Sequence, residues 1–272
     1  MFIACFDDSG TDSNSDIAIA ACYVSTKRGW DDFVEAWNAV RWQEGFGAVP
    51  FHMAEFVAPN KQGHQPWCHW NKEKKDHVYE RLANVINENK RIGIAVAVPK
   101  AVWDSTPEQI RAHYGREHYT FAVRMCMNRL LDWRAGSLNI LPLRYIFDWE
   151  MNTSPKRKEI SRVFDIISRP QNWQVARMLG IEPNGFSFEH REDFKPLQAA
   201  DILAWQMRNH MRKIWPIGHD DVSLCHPGFA MLRENQEVDL GFFTAEQIQK
   251  FVKQNEELEK EHGPLPIIYP VE

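Results

Sequence analysis

Five carboxylates sit where an apolar run of this chain stops or is interrupted. Asp7 and Asp8 end the run MFIACF, Asp148 and Glu150 end LPLRYIFDWE, and Asp201 lies inside PLQAADILAW. Acids brought close together repel one another and resist ionisation unless a cation holds them. Hard divalent ions such as Mg2+ and Mn2+ take oxygen ligands, keep several waters, and combine a few protein carboxylates with substrate phosphates. Two such ions can activate a water and stabilise the leaving oxygen of a phosphodiester. The plainer reading of each strand-end acid is that it marks where a strand meets water.

Strand periodicity sorts these acids. Ile3, Cys5 and Asp7 share one face of a strand, and Phe2, Ala4, Phe6 and Asp8 share the other, so only one of the two aspartates can face a given site. Arg144, Ile146, Asp148 and Glu150 also share a face, with the two acids about 6.6 Å apart at ~3.3 Å per residue. Asp201 is surrounded by Leu197, Ala199, Ala200, Ile202, Leu203, Ala204 and Trp205. Burying its charge costs several kcal/mol unless it is paired or bound to a cation. Arg208, seven residues on, is the candidate partner for a plain salt bridge. Ala200 and Ala204 would let such a helix approach a sheet closely.

The elements that must position these residues follow from apolar period and turn chemistry. Strands are expected over 1–6 and 16–25, joined by a Gly/Ser/Asn/Asp-rich turn, then a helix over 31–44 and an irregular Gly/Pro/His/Trp-rich stretch. A helix over 72–89 leads to a third strand over 91–98. A helix over 117–134, a fourth strand within 141–150, and a helix over 154–168 capped by Ser154 with Pro155 behind it come next. A fifth strand over 186–189, a helix over 196–212 and a charged helix over 245–262 complete the list. The first three strands suit an antiparallel meander, and the fourth can join the first in parallel through a right-handed crossover. That topology brings the ends of strands one and four together, and Asp7 and Asp148 with them. The expectation is one α/β domain with a mixed five-stranded sheet flanked by helices. Its core is about 1–213, with an insertion about 30–90 after strand two and a helical extension about 214–272.

Composition narrows the function classes. The chain has 272 residues, 44% hydrophobic and 25% charged, and reads as an ordinary globular protein. No apolar run approaches the ~20 residues of a membrane helix, and the N-terminus lacks the pattern of a signal peptide. Five cysteines without a CxxC pair suit reduced thiols in the cytoplasm. A net charge of −5 argues against non-specific coating of nucleic acid but leaves room for a local basic groove. Short basic clusters stand at Lys72, Lys74 and Lys75, at Lys156, Arg157 and Lys158, and at Arg208, Arg212 and Lys213. They suit a phosphate backbone or a solvated helix face equally. There is no phosphate-binding glycine loop, dinucleotide fingerprint or serine nucleophile elbow. His64, Cys68 and His69 lack the spacing of a closed zinc site, and His52 and Glu55 in PFHMAEF read as a proton shuttle or as ordinary packed loop residues.

Taken together, acids on strands one and four and on the last core helix resemble the ribonuclease H fold. FDDSGT and LQAADILAW also resemble the bacterial and phage family called domain of unknown function 3800. Its members open with a strand ending D-E-S-G and carry L-Q-x-A-D-x-x-A near the end. Asp8 here replaces the Glu, FDWE falls at an acid-ended strand, PFHMAEF resembles the family's short histidine segment, and the likeness spans about 1–212. The resemblance implies Mg2+ or Mn2+ held by Asp7, Asp148 and Asp201, with Glu150 as a fourth catalytic carboxylate. It implies a further Glu on the helix before strand four, where Glu117 is the nearest acid. The function expected is a divalent-metal-dependent nuclease or phosphodiesterase. A non-catalytic binding or effector module on the same fold is the alternative. A two-carboxylate glycoside hydrolase would be metal-independent and leaves Asp201 without a role. The charged last helix and the many tryptophans leave room for an oligomer.

Overall fold

The structure, a computed structural model, describes residues 1–58, 65–182, 184–215, 222–233 and 238–262. In chain order the elements are β1 (Phe2–Ser9), β2 (Ile17–Thr26), α1 (Lys27–Gln43), α2 (Met53–Val57), α3 (Lys72–Asn89) and β3 (Ile92–Pro99). Then follow α4 (Lys100–Asp104), α5 (Glu108–Tyr114), α6 (His118–Gly136), β4 (Leu143–Asp148), α7 (Pro155–Ile167) and α8 (Trp173–Leu179). The last are β5 (Phe186–Glu189), α9 (Pro196–Ile214), α10 (Pro227–Arg233), β6 (Val238–Phe242) and α11 (Ala245–His262). Local chemistry explains several boundaries. Thr26 caps α1 by accepting from the Gly29 N–H, and Asn71 caps α3 by accepting from the Lys74 N–H. Pro155 and Pro196 open their helices, where a missing N–H costs nothing. Ser154 stands at the N-cap of α7, but its side chain makes no capping hydrogen bond.

The sheet is mixed, in the order β5-β4-β1-β2-β3-β6. β1, β2 and β3 form the expected antiparallel meander, and β4 lies parallel to β1 with β5 parallel beside it. The sheet has six strands rather than the expected five, because β6 joins β3 in parallel. β6 reads VDLGF, short and carrying Asp and Gly, both depleted in strands. Its pairing comes from the free edge of β3. Arg129 of α6 secures it by pairing with Asp239 and packing over Gly241, where an added Cβ would come within 2.7 Å of the guanidinium. The segment after 214 is therefore part of the sheet and not only a helical extension.

Because β1 to β4 are almost continuously apolar, both faces of the sheet are covered. Ile3, Cys5, Ile19, Ala21 and Ile146 face a core shared with α1, α2, α3, α9 and α10. Phe2, Ala4, Phe6, Ala20 and Cys22 face a second core built with α4, α6, α7 and α11. Ala200 and Ala204 are fully buried on α9, which crosses β1 and β2. The five cysteines are free thiols. Among the described residues no helix is long and apolar enough to cross a membrane.

Candidate functional site

Register brings the first two carboxylates together. β1 and β4 pair in parallel up to Phe6 and Phe147, so the next residues, Asp7 and Asp148, emerge side by side at one end of the sheet. Asp7 points to the α9 face as period two requires, and Asp201 meets it from α9. Asp7 and Asp201 are only 2% and 5% exposed, so both are carboxylates withdrawn from water. Burial pushes the Asp7 carboxyl well above the usual range, Arg191 opposes this, and Asp201 and Asp148 add to the rise. Burial raises Asp201 as well, against the pull of His52 and Arg191.

Their partners come from three places. The Asp7 Oδ1 accepts the Asp8 N–H at 2.8 Å. Its Oδ2 is buried without a hydrogen-bond donor among the described residues, and lies 3.7 Å from Arg191 Nη2. That same Nη2 binds Asp148 Oδ2. Burial disfavours the Arg191 cation, but Asp7 and Asp148 outweigh this and hold it firmly protonated. Asp201 Oδ2 accepts the Met53 N–H at the start of α2 at 2.6 Å, and its Oδ1 lies 3.8 Å from His52 Nε2. The other imidazole nitrogen, Nδ1, is 3.4 Å from Glu55 Oε1. Asp201 is thus held by the α2 segment and not by Arg208, which lies beside Gly10 and Asp12.

Gln198, fully buried one turn before Asp201, ties these pieces together. Its Oε1 accepts from Trp37 Nε1 at 2.9 Å and from the Phe51 N–H at 3.2 Å, while its Nε2 donates to the Arg191 carbonyl at 2.8 Å. One amide therefore fixes both the segment entering α2 and the loop carrying Arg191 onto α9. Sequence reasoning quoted this glutamine without giving it a task, and missed Arg191 altogether. The only local signal was a buried-looking Gln three residues before a buried-looking Asp.

Other expected residues go elsewhere. Asp8 turns to the opposite face, where it accepts from Thr11 and pairs with Lys156 Nζ at 2.9 Å. Glu150 is not brought to the other three. Lying past the end of β4, it is freed from strand alternation and binds Lys156, with its carbonyl accepting from Arg157. Glu117 stands at the N-cap of α6, where its N–H and that of Arg116 donate to the buried Glu159. Cys68 is half-buried and His69 exposed, while His64 lies outside the described residues. The basic clusters are partly spent on internal pairs, with Lys72 on Asp76, Lys74 on Glu44 and Lys156 on Asp8 and Glu150.

Comparison of the chain with family models, curated proteins and solved structures finds no match.

Among the described residues no group of three or more His, Cys, Asp or Glu side chains is disposed to hold a metal ion as it stands. The donor chemistry nonetheless fits a hard divalent cation. Three carboxylates from β1, β4 and α9 converge, one oxygen of Asp7 lacks a donor among the described residues, and the Arg191 guanidinium lies between Asp7 and Asp148. Two of those carboxylates are desolvated, the condition that favours a compensating cation.

Proposed function

We propose that this chain is a divalent-metal-dependent nuclease or phosphodiesterase on a ribonuclease H-like core, of the kind represented by domain of unknown function 3800. The observation that carries this reading is the convergence of Asp7, Asp148 and Asp201 around a buried Asp7 oxygen that no donor among the described residues satisfies. The sheet order supports it, since an antiparallel meander is extended from β1 by two parallel strands, each arriving after helices. Asp7, Asp148 and Asp201 would hold Mg2+ or Mn2+. An ion held there would supply Lewis acidity for activating water and steadying the leaving oxygen of a phosphodiester. His52 holds or moves a proton at Nε2, with Glu55 orienting it through Nδ1. Arg191, beside Asp7 and Asp148, would offer its planar fork to a phosphate. Glu150, committed to Lys156, is left out of the ligand set.

One observation favours the binding-module alternative, namely that Arg191 already neutralises part of the cluster. Turnover separates the two. Wild type, Asp7→Asn and Asp201→Asn would be assayed with Mn2+ and Mg2+ on single-stranded, duplex and hybrid nucleic acids. The expected result is metal-dependent cleavage by wild type, lost in both folded variants by more than the about 10–100-fold that outer-shell changes cost. Metal binding without cleavage by wild type would leave the binding module.

A further inference from the structure

A cavity of about 900 Å3 is walled by residues of α2, α3, α9 and α10. This is near the top of the about 300–1,000 Å3 typical of ligand sites. Met53 links it to the carboxylates, since its N–H holds Asp201 while the residue also lines the cavity. Trp205, also in the lining, stands four residues after Asp201 and so on the same face of α9, about 6 Å along the axis. Trp70 is a second partly exposed indole on the wall.

The cavity floor is built rather than accidental. Tyr79 donates to the Gly228 carbonyl at 2.9 Å and accepts from Gln206 Nε2 at 2.9 Å. Gly228 permits this closeness, because a Cβ there would lie 2.6 Å from the Tyr79 ring. Gln206, 1% exposed, braces the floor by donating to Tyr79, and its Oε1 is itself buried. Charge on the wall is mainly positive. Asp76 is the only acid among the described lining residues and is paired with Lys72, which leaves the Lys75 ammonium, 5.8 Å over the Phe56 ring, for an anion.

We infer that this cavity receives unstacked bases of a single-stranded nucleic acid whose backbone continues past Asp201. The inference rests on reading the carboxylates as a phosphodiester site. Indole faces stack on any base, and lysine meets phosphate. A duplex keeps its bases inside its own stack and cannot present them to a recessed wall.

The test uses the full chain in EDTA, so that binding is read without cleavage. Anisotropy of labelled short single-stranded DNA, single-stranded RNA and duplexes gives the affinities, and the two single-stranded arms distinguish the sugar. The expected result is single-strand binding at least about tenfold tighter than duplex binding. Trp205→Ala should weaken it by about tenfold, the loss of one base–aromatic stack. Lys75→Ala should lower the salt slope by about one. Trp42→Ala, an exposed indole on α1 outside the cavity, should change nothing. Trp70 packs on Phe46 and Phe56, so Trp205 and Lys75 carry the decision. Absence of binding, equal duplex affinity, or unchanged affinity in both Trp205→Ala and Lys75→Ala would overturn the inference. Binding as expected without metal-dependent cleavage would remove the nuclease reading and leave the cavity assignment standing. Cleavage combined with unchanged binding in both variants would do the reverse.

Discussion

The Asp7 carboxylate has one oxygen satisfied by the Asp8 N–H and another that meets no hydrogen-bond donor among the described residues, 3.7 Å from the Arg191 guanidinium. Burying such an oxygen costs stability unless a cation completes its surroundings. Metal binding to the native state alone should then appear as thermal stabilisation. At a hundredfold excess over Kd this is worth about 2.7 kcal/mol, or about 5–10 °C for a chain near this size. Wild type should show that rise with Mn2+, while Asp7→Asn should show none and should melt no lower than wild type in metal-free buffer. A variant that still responds fully to Mn2+ would remove Asp7 from the ligand set. Neighbouring Asp8 illustrates how narrow the choice is, since one step along a strand sends it to Thr11 and Lys156 on the other face.

At the scale of elements, the turn after β1 must reverse the chain within a few residues and keep Asp7 in register with Ala21 of β2. Gly10 makes this turn at φ +70°, and a Cβ there would lie 2.2 Å from the Ile17 carbonyl oxygen. Gly10→Ala should therefore lose at least the about 1–3 kcal/mol of a strained backbone position, read as a lower denaturation midpoint with an unchanged slope. Unaltered stability would mean the turn can relax without disturbing β1. The glycine of FDDSG was legible as a turn signal, and its close approach to Ile17 was not. Likewise α9 was legible from its apolar face, whereas the hydrogen bonds of Gln198 to Trp37 and Phe51 depend on where those residues arrive from distant parts of the chain. β6 had no usable local signature, because its stability comes from the β3 edge and from Arg129.

Across the whole molecule, α3 and α10 close the α9-side core over β2 and β3. Lys90, at the end of α3, is trapped in that closure. Its Nζ donates to the Leu232 carbonyl at 2.7 Å and lies 5.1 Å over the Tyr23 ring. Burial lowers its pKa to about 7, against about 10.4 in an unfolded chain. Between those values the unfolded state binds more protons, so stability rises as pH climbs from about 7 toward 10, and the full cost of the buried charge is felt below 7. Lys90→Met should flatten that rise, seen as a wild-type melting temperature that gains several degrees relative to the variant over this pH range. Parallel curves would place Lys90 in water.

The apolar runs, their period and the acids at their ends determined by themselves the α/β class, the antiparallel meander and the meeting of β1 with β4. Burial on both faces is written locally, residue by residue, and alternation decides which of Asp7 and Asp8 looks inward. Only the tertiary structure decided that Arg191 stands between Asp7 and Asp148, that Gln198 staples two loops to α9, that Glu150 leaves the cluster for Lys156, and that a sixth strand closes the sheet. The Glu150–Lys156 and Gln198–Arg191 contacts are local, but each of the others joins segments far apart in the chain. Its energy depends on where the backbone returns in space, and no pattern within either segment encodes that return.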